Sequence, residues 1–229
     1  APCPVPVKRA MIDWWGPVID EYYAGTEANG FTAIKAAQWL ERPGSVGTAI
    51  GEAKLHICDE DDVSVGPGVE GTVYFEGPRP FEYHNDPERT AASRNRHGWS
   101  TLGDVGRVDE AGFLFLTDRK SFMIISGGVN IYPQEIENHL VTHPKVADVA
   151  VIGAPHDDLG EQVVAVVQPL DMADVGDALR EELIAYARIA LSGVKTPRRI
   201  DFMEQLPRHD TGKLYKRLIR DAYWAKEAV

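Results

Sequence analysis

Cysteine is nearly absent from this 229-residue sequence, which contains only Cys3 and Cys58, far apart and without a CxxC spacing. Two such residues exclude a disulfide framework and a cysteine-based zinc site, because both need more cysteines at characteristic spacings. The shortage of cysteine indicates a reducing compartment, and we expect a cytoplasmic protein.

Long apolar runs are also missing, since no stretch reaches the roughly 20 apolar residues of a transmembrane helix. The N-terminal residues lack the basic region and apolar core of a secretory signal. There is no initiator methionine, and the first methionine is Met11. We therefore expect this sequence to begin inside a longer protein.

Basic residues are outnumbered by acidic ones, with 24 Lys and Arg against 35 Asp and Glu and a formal net charge of −11. Nonspecific nucleic-acid binding needs clustered basic residues that neutralise phosphates, so this class of partner is excluded. The basic residues do concentrate between Lys195 and Arg220. Either an anion site or a solvated helix face explains that cluster.

The apolar pattern predicts an α+β protein with a domain boundary near Thr117–Ser121. Residues 1–117 are predicted to be rich in antiparallel strands. Residues 118–229 are predicted to form a small self-sufficient α+β domain.

Within residues 1–117, an amphipathic helix is expected over 8–20, with a break at Gly16-Pro17. Residues 43–47 are predicted as a loop because they are rich in glycine and proline. A short strand that runs into a turn is predicted over 21–27, and a strand remnant followed by a short helix over 31–41. The remaining predictions are strands at 53–58, 71–76 and 98–104, a helix that starts at Asp86, and a hairpin at 107–117.

The C-terminal region opens with Asp118–Glu137, around which the rest of the chain is organised. This stretch predicts a short buried strand at Phe122–Ile125, a turn at Ser126-Gly127-Gly128 and a helix that begins at Pro133. Paired glycines allow positive φ angles and the close approach of another molecule. After it, the sequence predicts strands at 146–153, 162–168 and 199–203, a loop at 154–161 and a helix at 176–190.

Two polar positions suit a nucleotide ligand. Thr26 and Glu27 place a hydroxyl beside a carboxylate just after Gly25, which suits a Mg²⁺–phosphate site, although a surface turn is the alternative. Asp104 follows a strand and is suited to accept hydrogen bonds from a ribose diol, with an Asx-turn as the alternative.

Five segments together resemble successive motifs of the adenylate-forming enzymes, and within that superfamily they look most like those of acyl-CoA synthetases. They are YYAGTE at 22–27, GWSTLGD at 98–104, DRKSFMIISGGVNIYPQEIE at 118–137, GAPHDDLGEQVVAVV at 153–167 and LPRHDTGK at 206–213. The resemblance covers essentially the whole chain, and the segments at 118–137 and 206–213 are its most specific parts.

The resemblance implies a two-step reaction. ATP and a carboxylic acid form an acyl-adenylate and pyrophosphate, and the thiol of coenzyme A then displaces AMP. By resemblance, Tyr23 would stack on adenine, with Ala24 and Gly25 beside it, while Asp104 and Arg119 would bind the ribose.

The same resemblance assigns the charged chemistry. Thr26 and Glu27 would serve the phosphates and Mg²⁺. Lys213 would bridge the substrate carboxylate and the α-phosphate and stabilise the charge as the adenylate forms.

In this family the small C-terminal domain rotates between the half-reactions about a hinge, which here corresponds to Ser121. One orientation would present Lys213, and the other would present the Ser126-Gly127-Gly128 turn to the pantetheine arm of coenzyme A. The family usually carries Asp or Lys at the hinge, so Ser121 is a departure, as are Ala24 and Leu102 in their motifs.

The phosphate loop that the family carries upstream of YYAGTE is not in these 229 residues. The resemblance therefore implies the end of a large N-terminal domain at 1–117, followed by the small domain at 118–229. The expected partners are a carboxylic acid (fatty or otherwise bulky and apolar), ATP, coenzyme A and the remaining N-terminal portion of the same enzyme. A homodimer is one option for the oligomeric state.

Two alternatives remain beside coenzyme A ligation. One is an adenylation enzyme that loads a carrier-protein phosphopantetheine, and the other is a non-catalytic fragment or binding module. Because the phosphate loop and most of the acyl pocket are missing from the sequence, we expect this chain alone to be a poor catalyst.

Overall fold

The structure, a computed structural model, describes residues 3–77 and 81–226. These residues divide into two compact units, the first ending at Ser121 and the second beginning at Phe122. Each unit has its own hydrophobic core and its own sheet. The predicted α+β class is confirmed.

The described helices of the first unit are α1 (Val5–Trp15), α2 (Ala36–Glu41) and α3 (Pro87–Ala92). Helix α1 ends at Gly16, which has a φ of 80° and precedes Pro17, so the helix stops where the sequence predicted a break. Helix α3 begins after Asp86, whose side chain accepts a hydrogen bond from the Arg89 backbone N–H, and the predicted cap is confirmed.

The first unit contains an antiparallel sheet of seven strands within the described residues. The strands are β1 (Glu21–Ala24), β2 (Phe31–Ile34), β3 (Ser45–Ala49), β4 (Lys54–Cys58), β5 (Gly71–Glu76), β6 (Asp104–Val108) and β7 (Leu114–Arg119). Their order in the sheet is β1-β2-β3-β7-β6-β5-β4. This order brings β1, near the start of the chain, into one sheet with the later β6 and β7.

Two predictions for the first unit are wrong. Residues 43–47 are not a loop, because β3 begins at Ser45. Gly47 has a φ of 93°, and a Cβ there would lie 1.9 Å from the Ala33 carbonyl oxygen, so the glycine serves close strand packing rather than a loop. Residues 98–104 are not a strand, since β6 only begins at Asp104, after Gly103 with its φ of 81°.

The second unit contains five strands and three helices within the described residues. They are β8 (Ile124–Ser126), β9 (Val129–Ile131), α4 (Pro133–Leu140), β10 (Val146–His156), β11 (Gly160–Pro169), α5 (Asp177–Ala190), β12 (Arg199–Phe202) and α6 (Lys216–Lys226). The strand order is β10-β11-β8-β9, and β12 runs parallel to β11 along the same edge that β8 pairs with. Among the described residues, no helix has the length and apolar character that crossing a membrane requires.

Helices cover both faces of this second sheet. On one face, Val149 and Val151 of β10 pack with residues of α4 and α5, including Ile136 and Leu183. On the other face, the alternate strand residues pack against α6 and the segment before it. Because successive strand side chains point to opposite faces, a sheet buried on both sides reads as a continuous apolar run.

Two details of the second unit correct the sequence predictions. The strand–turn–helix expected at Asp118–Glu137 contains an additional strand, β9, so that Gly127 and Gly128 form the tip of a β-hairpin. The predicted loop 154–161 is shorter, because β10 extends to His156 and β11 starts at Gly160. In both places the turn is tighter than the sequence indicated, and residues predicted as loop or turn belong to strands.

Candidate functional site

A polar cluster in the first unit forms where three strands bring distant residues together. Tyr23 lies on β1, Asp104 opens β6 and Arg119 closes β7. Asp104 and Arg119 are direct cross-strand partners in the β6–β7 register. Their proximity therefore follows from the hairpin register, whereas Tyr23 reaches them only through the folding of the whole sheet.

The cluster is organised by the Asp104 carboxylate, which is almost fully buried at 7% exposure. Its Oδ2 accepts a hydrogen bond of 2.5 Å from the Tyr23 hydroxyl, and its Oδ1 accepts one of 3.1 Å from Arg119 Nε. Burial, reinforced by the negative charge of Asp104, raises the pKa of Tyr23 well above its ordinary value. Tyr23 therefore stays protonated and acts as a donor at every physiological pH.

The loop before Asp104 is fixed by backbone contacts. The Thr101 hydroxyl donates to the Val73 carbonyl at 2.7 Å and accepts from the Gly103 N–H at 3.0 Å. Leu102 lies so close to Gly25 that a Cβ on the glycine would sit 2.2 Å from Leu102 Cδ1. Gly25 thus allows the β1 turn and the Asp104 loop to pack together.

Thr26 and Glu27 form a second polar group just after β1. The Glu27 carboxylate accepts a hydrogen bond of 3.2 Å from Thr26 and one of 3.0 Å from the Tyr83 hydroxyl. The Arg89 guanidinium lies over the Tyr83 ring, 3.8 Å from its centroid. Ala24 is exposed at the end of β1 and contributes backbone only.

Glu27 is held as a carboxylate. Partial burial raises the pKa of Glu27, but hydrogen bonds from its own backbone N–H, Tyr83 and Thr26, together with the nearby charge of Arg89, outweigh burial and place it below its ordinary value. The sequence alone did not indicate Tyr83 and Arg89 as site residues. The signal available was the Asp86-capped helix, whose first turn carries Arg89 next to Tyr83.

The glycine turn of the second unit is the tip of the β8–β9 hairpin. Gly127 and Gly128 have φ angles of 57° and 80°, the pair of positive values that a two-residue hairpin turn requires. The Gly127 N–H donates to the Leu159 carbonyl at 2.9 Å. Beside Gly128 there is open space where a Cβ would lie.

Glu161 supports this hairpin from the neighbouring strand β11. Its carboxylate accepts the Ile125 backbone N–H at 2.8 Å and lies 3.8 Å from Arg220 of α6. A Cβ on Gly153 would lie 2.8 Å from this carboxylate. Gly153 therefore makes room for the charge that holds β8.

Lys213 lies on a turn between β12 and α6. On the near side of the turn, Arg208 donates to the Gly212 carbonyl at 2.6 Å and forms an ion pair with Asp148. The rings of His209 and Tyr215 stack with centroids 4.0 Å apart. The backbone around Lys213 is thus well anchored, while its side chain is exposed.

The basic cluster predicted between residues 195 and 220 separates into paired and unpaired cations. Six of its eight members form an ion pair with a carboxylate: Lys195, Arg199, Arg208, Lys216, Arg217 and Arg220. Lys213 and Arg198 form none with any residue that the structure describes. This distinction is absent from the sequence, where all eight residues look alike.

The predicted site residues therefore fall into two sets. The structure brings together Tyr23, Asp104 and Arg119 in the first unit, with Thr26 and Glu27 beside Tyr83. Lys213 and the Ser126-Gly127-Gly128 turn lie on separate loops of the second unit. Ser121 is exposed in a single helical turn at Lys120–Phe122, at the division between the units.

The donor set at Glu27 limits how a metal ion would be held. Among the described residues there is no group of three or more His, Cys, Asp or Glu side chains that would bind a metal alone. A Mg²⁺ ion commonly takes one or two protein carboxylates and completes its shell with water and substrate phosphates. Glu27 and Thr26 offer oxygen ligands of this kind.

Comparison with known proteins gives two family matches. Residues 1–82 match the AMP-binding enzyme family, and residues 135–213 match the AMP-binding enzyme C-terminal domain. The two matches occur in the order in which the units follow each other along the chain.

Individual relatives agree with these matches. The 2-succinylbenzoate–CoA ligase of Bacillus thuringiensis subsp. konkukian is 33% identical over 219 residues, which is 96% of this chain and 44% of that protein. The long-chain-fatty-acid–CoA ligase of Salmonella typhimurium is 33% identical over 222 residues, or 95% and 39% of the two chains. The structure of ATP-bound MatB from Rhodopseudomonas palustris superposes with a TM-score of 0.86 at 31% identity, covering 97% of this chain and 44% of that one. This chain spans less than half the length of the relatives it matches.

Proposed function

Because the chain belongs to the AMP-binding, adenylate-forming enzyme family, we propose that it is the C-terminal portion of an ATP-dependent acyl-CoA ligase. The end of the large domain would be residues 1–117 and the small mobile domain residues 118–229. The observation that carries this proposal is the hydrogen-bonded cluster of Tyr23, Asp104 and Arg119.

The cluster is suited to a nucleoside. A carboxylate has about four lone-pair sites, and Asp104 uses two of them for Tyr23 and Arg119. The remaining two match the vicinal hydroxyls of a ribose. Arg119 and Tyr23 prevent the carboxylate from turning, so little ordering is needed when the nucleotide binds. The Tyr23 ring is the face on which adenine would stack.

Lys213 is suited to the chemical step. An oxygen of the substrate carboxylate attacks the α-phosphorus of ATP, and the bond to pyrophosphate breaks. Two anions must approach each other, and an ammonium group between them offsets their repulsion. Since Lys213 has no ion pair among the described residues, its charge is available to a ligand.

The second step transfers the acyl group. The sulfur of coenzyme A attacks the acyl carbonyl carbon, the thiol proton leaves to solvent, and the bond to AMP breaks. Gly127 and Gly128 would form the wall along the pantetheine arm. The open space beside Gly128 supports this role, because a turn without side chains allows a narrow thiol arm to pass.

Mg²⁺ would be held by Glu27 and Thr26 together with phosphate oxygens. When bound, the ion would offset the negative charge of the phosphates. The lowered pKa of Glu27 supports this assignment because it keeps the carboxylate ionised. Tyr83 orients Glu27 through its hydrogen bond.

Ser121 is proposed as the hinge between the half-reactions. It is exposed and lies at the division of the two units. Ser121→Pro restricts φ and disfavours helical geometry at Lys120. We expect about a tenfold loss in one half-reaction and little change in the other. Equal rates for both half-reactions in this variant would place the pivot elsewhere.

The acid and the remaining partner stay proposals. Two of the relatives are named as ligases of 2-succinylbenzoate and of long-chain fatty acids, and we propose a bulky apolar acid as substrate. The N-terminal portion of the enzyme would cover the exposed apolar side chains near the start of this chain, namely Trp14, Trp15, Val18 and Tyr22, of which Trp14 is 78% exposed. A cytoplasmic location remains a prediction from the low cysteine content, and a homodimer remains an option.

The test is a pair of measurements with ATP, Mg²⁺ and a panel of aromatic and fatty acids. Acid-dependent pyrophosphate release and thioester formation are expected in the complete enzyme with coenzyme A as acceptor. A phosphopantetheinylated carrier protein serves as the competing acceptor, and preference for it would favour the carrier-loading alternative. The 229-residue chain alone should release pyrophosphate at least about a hundredfold more slowly. Absence of adenylate formation in the complete enzyme would leave the non-catalytic alternative.

A further inference from the structure

A buried ion pair lies immediately after the Lys213 turn. Lys216, the first residue of α6, places its Nζ 2.7 Å from Glu137 Oε1 of α4, and the two side chains are only 8% and 9% exposed. The same oxygen of Glu137 accepts the Val151 backbone N–H at 2.7 Å. Lys216 therefore joins α6 to α4 and to the edge strand β10 through one carboxylate.

Stability alone does not explain such a pair. Removing two charges from water costs about as much as their attraction returns, and well-packed apolar residues often stabilise a core equally well. What a buried pair does provide is a single permitted arrangement, because any shift leaves a charge without its partner. The pair is thus suited to fixing the position of a segment.

The segment that it fixes contains Lys213. Lys216 follows Lys213 by three residues, and on the other side of the turn Arg208 is tied to Asp148 and to the Gly212 carbonyl. Two ion pairs, that of Arg208 before Lys213 and that of Lys216 after it, therefore hold this turn against the rest of the second unit. The Lys213 side chain takes part in neither pair.

A second contact extends the reach of Lys216. Its Nζ also lies over the Phe122 ring, 4.9 Å from the ring centroid. Phe122 is the first residue of the second unit and follows Ser121 directly. One buried ammonium group thus contacts both Glu137 of α4 and the segment that begins the unit.

We propose that Lys216 is a positioning residue for Lys213, which it holds through Glu137 and Phe122. The proposal rests on the function proposed above. Lys216 touches no substrate in this role. Its loss therefore lowers the rate of adenylation without weakening ATP binding, and it leaves thioester formation from supplied acyl-adenylate much less affected.

The test compares Lys216→Met with Lys216→Arg in the complete enzyme. In Lys216→Met we expect kcat for adenylation to fall about 30-fold, with the KM for ATP within about twofold of wild type. Lys216→Arg keeps a cation at the site and is expected to retain at least a third of wild-type kcat. Leu183→Ala, a change at a buried core residue of α5, is the matched control for a general loss of stability. It should not reproduce the fall in kcat at an unchanged KM for ATP.

A second readout does not depend on activity. In the 229-residue chain, hydrogen exchange of the amides at 206–215 should accelerate in Lys216→Met and not in Lys216→Arg, while amides of β11 stay protected. If Lys216→Met fails to fold, the double variant Lys216→Met with Glu137→Met removes both charges and replaces them with apolar side chains. It is expected to fold and to show the same fall in the rate of adenylation as Lys216→Met.

The outcomes separate the two proposals. Wild-type adenylation in a folded variant without the ion pair, or unchanged exchange at 206–215, overturns the positioning role. Faster exchange at 206–215 in an enzyme that never forms an adenylate supports the positioning role and refutes the proposed function instead.

Discussion

The two units treat their polar groups in opposite ways. In the first unit, Tyr23, Asp104 and Arg119 satisfy one another before any ligand is bound. In the second unit, Lys213 is left exposed on an anchored turn while the cations around it are neutralised. This difference suits two tasks. Recognition of a nucleoside benefits from groups that are already oriented, whereas stabilising the charge that develops on a reacting anion needs a cation that is not already paired.

The largest effect is expected at Lys213, the exposed cation without an ion pair among the described residues. Lys213→Ala should lower adenylation by about 10²–10³-fold, which is typical for the loss of one group that stabilises developing charge. Thioester formation from supplied acyl-adenylate should stay within a few-fold of wild type. Pyrophosphate release and thioester formation, measured separately, check this. Arg217→Ala, an exposed cation in an ion pair, is the matched control, and equal loss of both half-reactions would contradict the assignment.

Substitutions in the cluster of Tyr23, Asp104 and Arg119 should change the affinity for the nucleotide. Asp104→Asn keeps the shape of the side chain but loses the charge, and its amide nitrogen cannot accept hydrogen bonds. We expect nucleotide affinity to fall about 10–100-fold, the equivalent of about one hydrogen bond to a charged group. Titration calorimetry with ATP and AMP measures it. Tyr23→Phe removes one of the two supports and should cost less, and unchanged affinity in Asp104→Asn would remove the ribose role.

The glycine hairpin tests the second half-reaction. Gly128→Ala strains a residue at φ 80° and adds a methyl group to the surface proposed for pantetheine. We expect about a fivefold to tenfold loss of thioester formation with adenylation unchanged. Gly112→Ala introduces the same strain at φ 81°, also into open space, on the β6–β7 turn. A similar loss in both variants would mean that strain alone is responsible.

The smallest effect is expected at Glu27 and depends on pH. Burial raises the pKa of Glu27, but the hydrogen bonds that it accepts, one of them from Tyr83, hold it below its ordinary value. A carboxyl whose pKa is lowered by folding stabilises the protein above its unfolded-state pKa, and this contribution is lost as the pH falls through the folded-state pKa.

Tyr83→Phe should therefore reduce the free energy of unfolding by about 1 kcal/mol or less at neutral pH. The reduction should vanish at acid pH, once the carboxyl is protonated in both states. Urea denaturation at the two pH values measures this, and Tyr22→Phe, at an exposed position, serves as the control. A reduction of the same size at both pH values would show that Tyr83 acts by packing rather than through the Glu27 charge.

Local signals in the sequence were enough for much of the fold. Gly16-Pro17 ended α1, Asp86 capped α3, and the alternating helices and strands after Pro133 were found near their predicted positions. These features depend on residues within one or two turns of each other. The errors at 43–47 and β9 share a cause, since glycine reads as a loop signal even where it serves close packing or a tight hairpin. The error at 98–104 is the reverse, because residues predicted as a strand lie outside one until Asp104.

The sequence by itself determined the class of protein, the order of its motifs and the residues that resemble a nucleotide site. Only the tertiary structure decided which residues meet. A contact such as that of Tyr83 with Glu27, 56 residues apart, depends on how distant parts of the chain fold together. It also decided which charges are neutralised. Five basic residues near the C-terminal end look equivalent in one dimension, and the folded chain gives four of them a carboxylate and leaves Lys213 exposed.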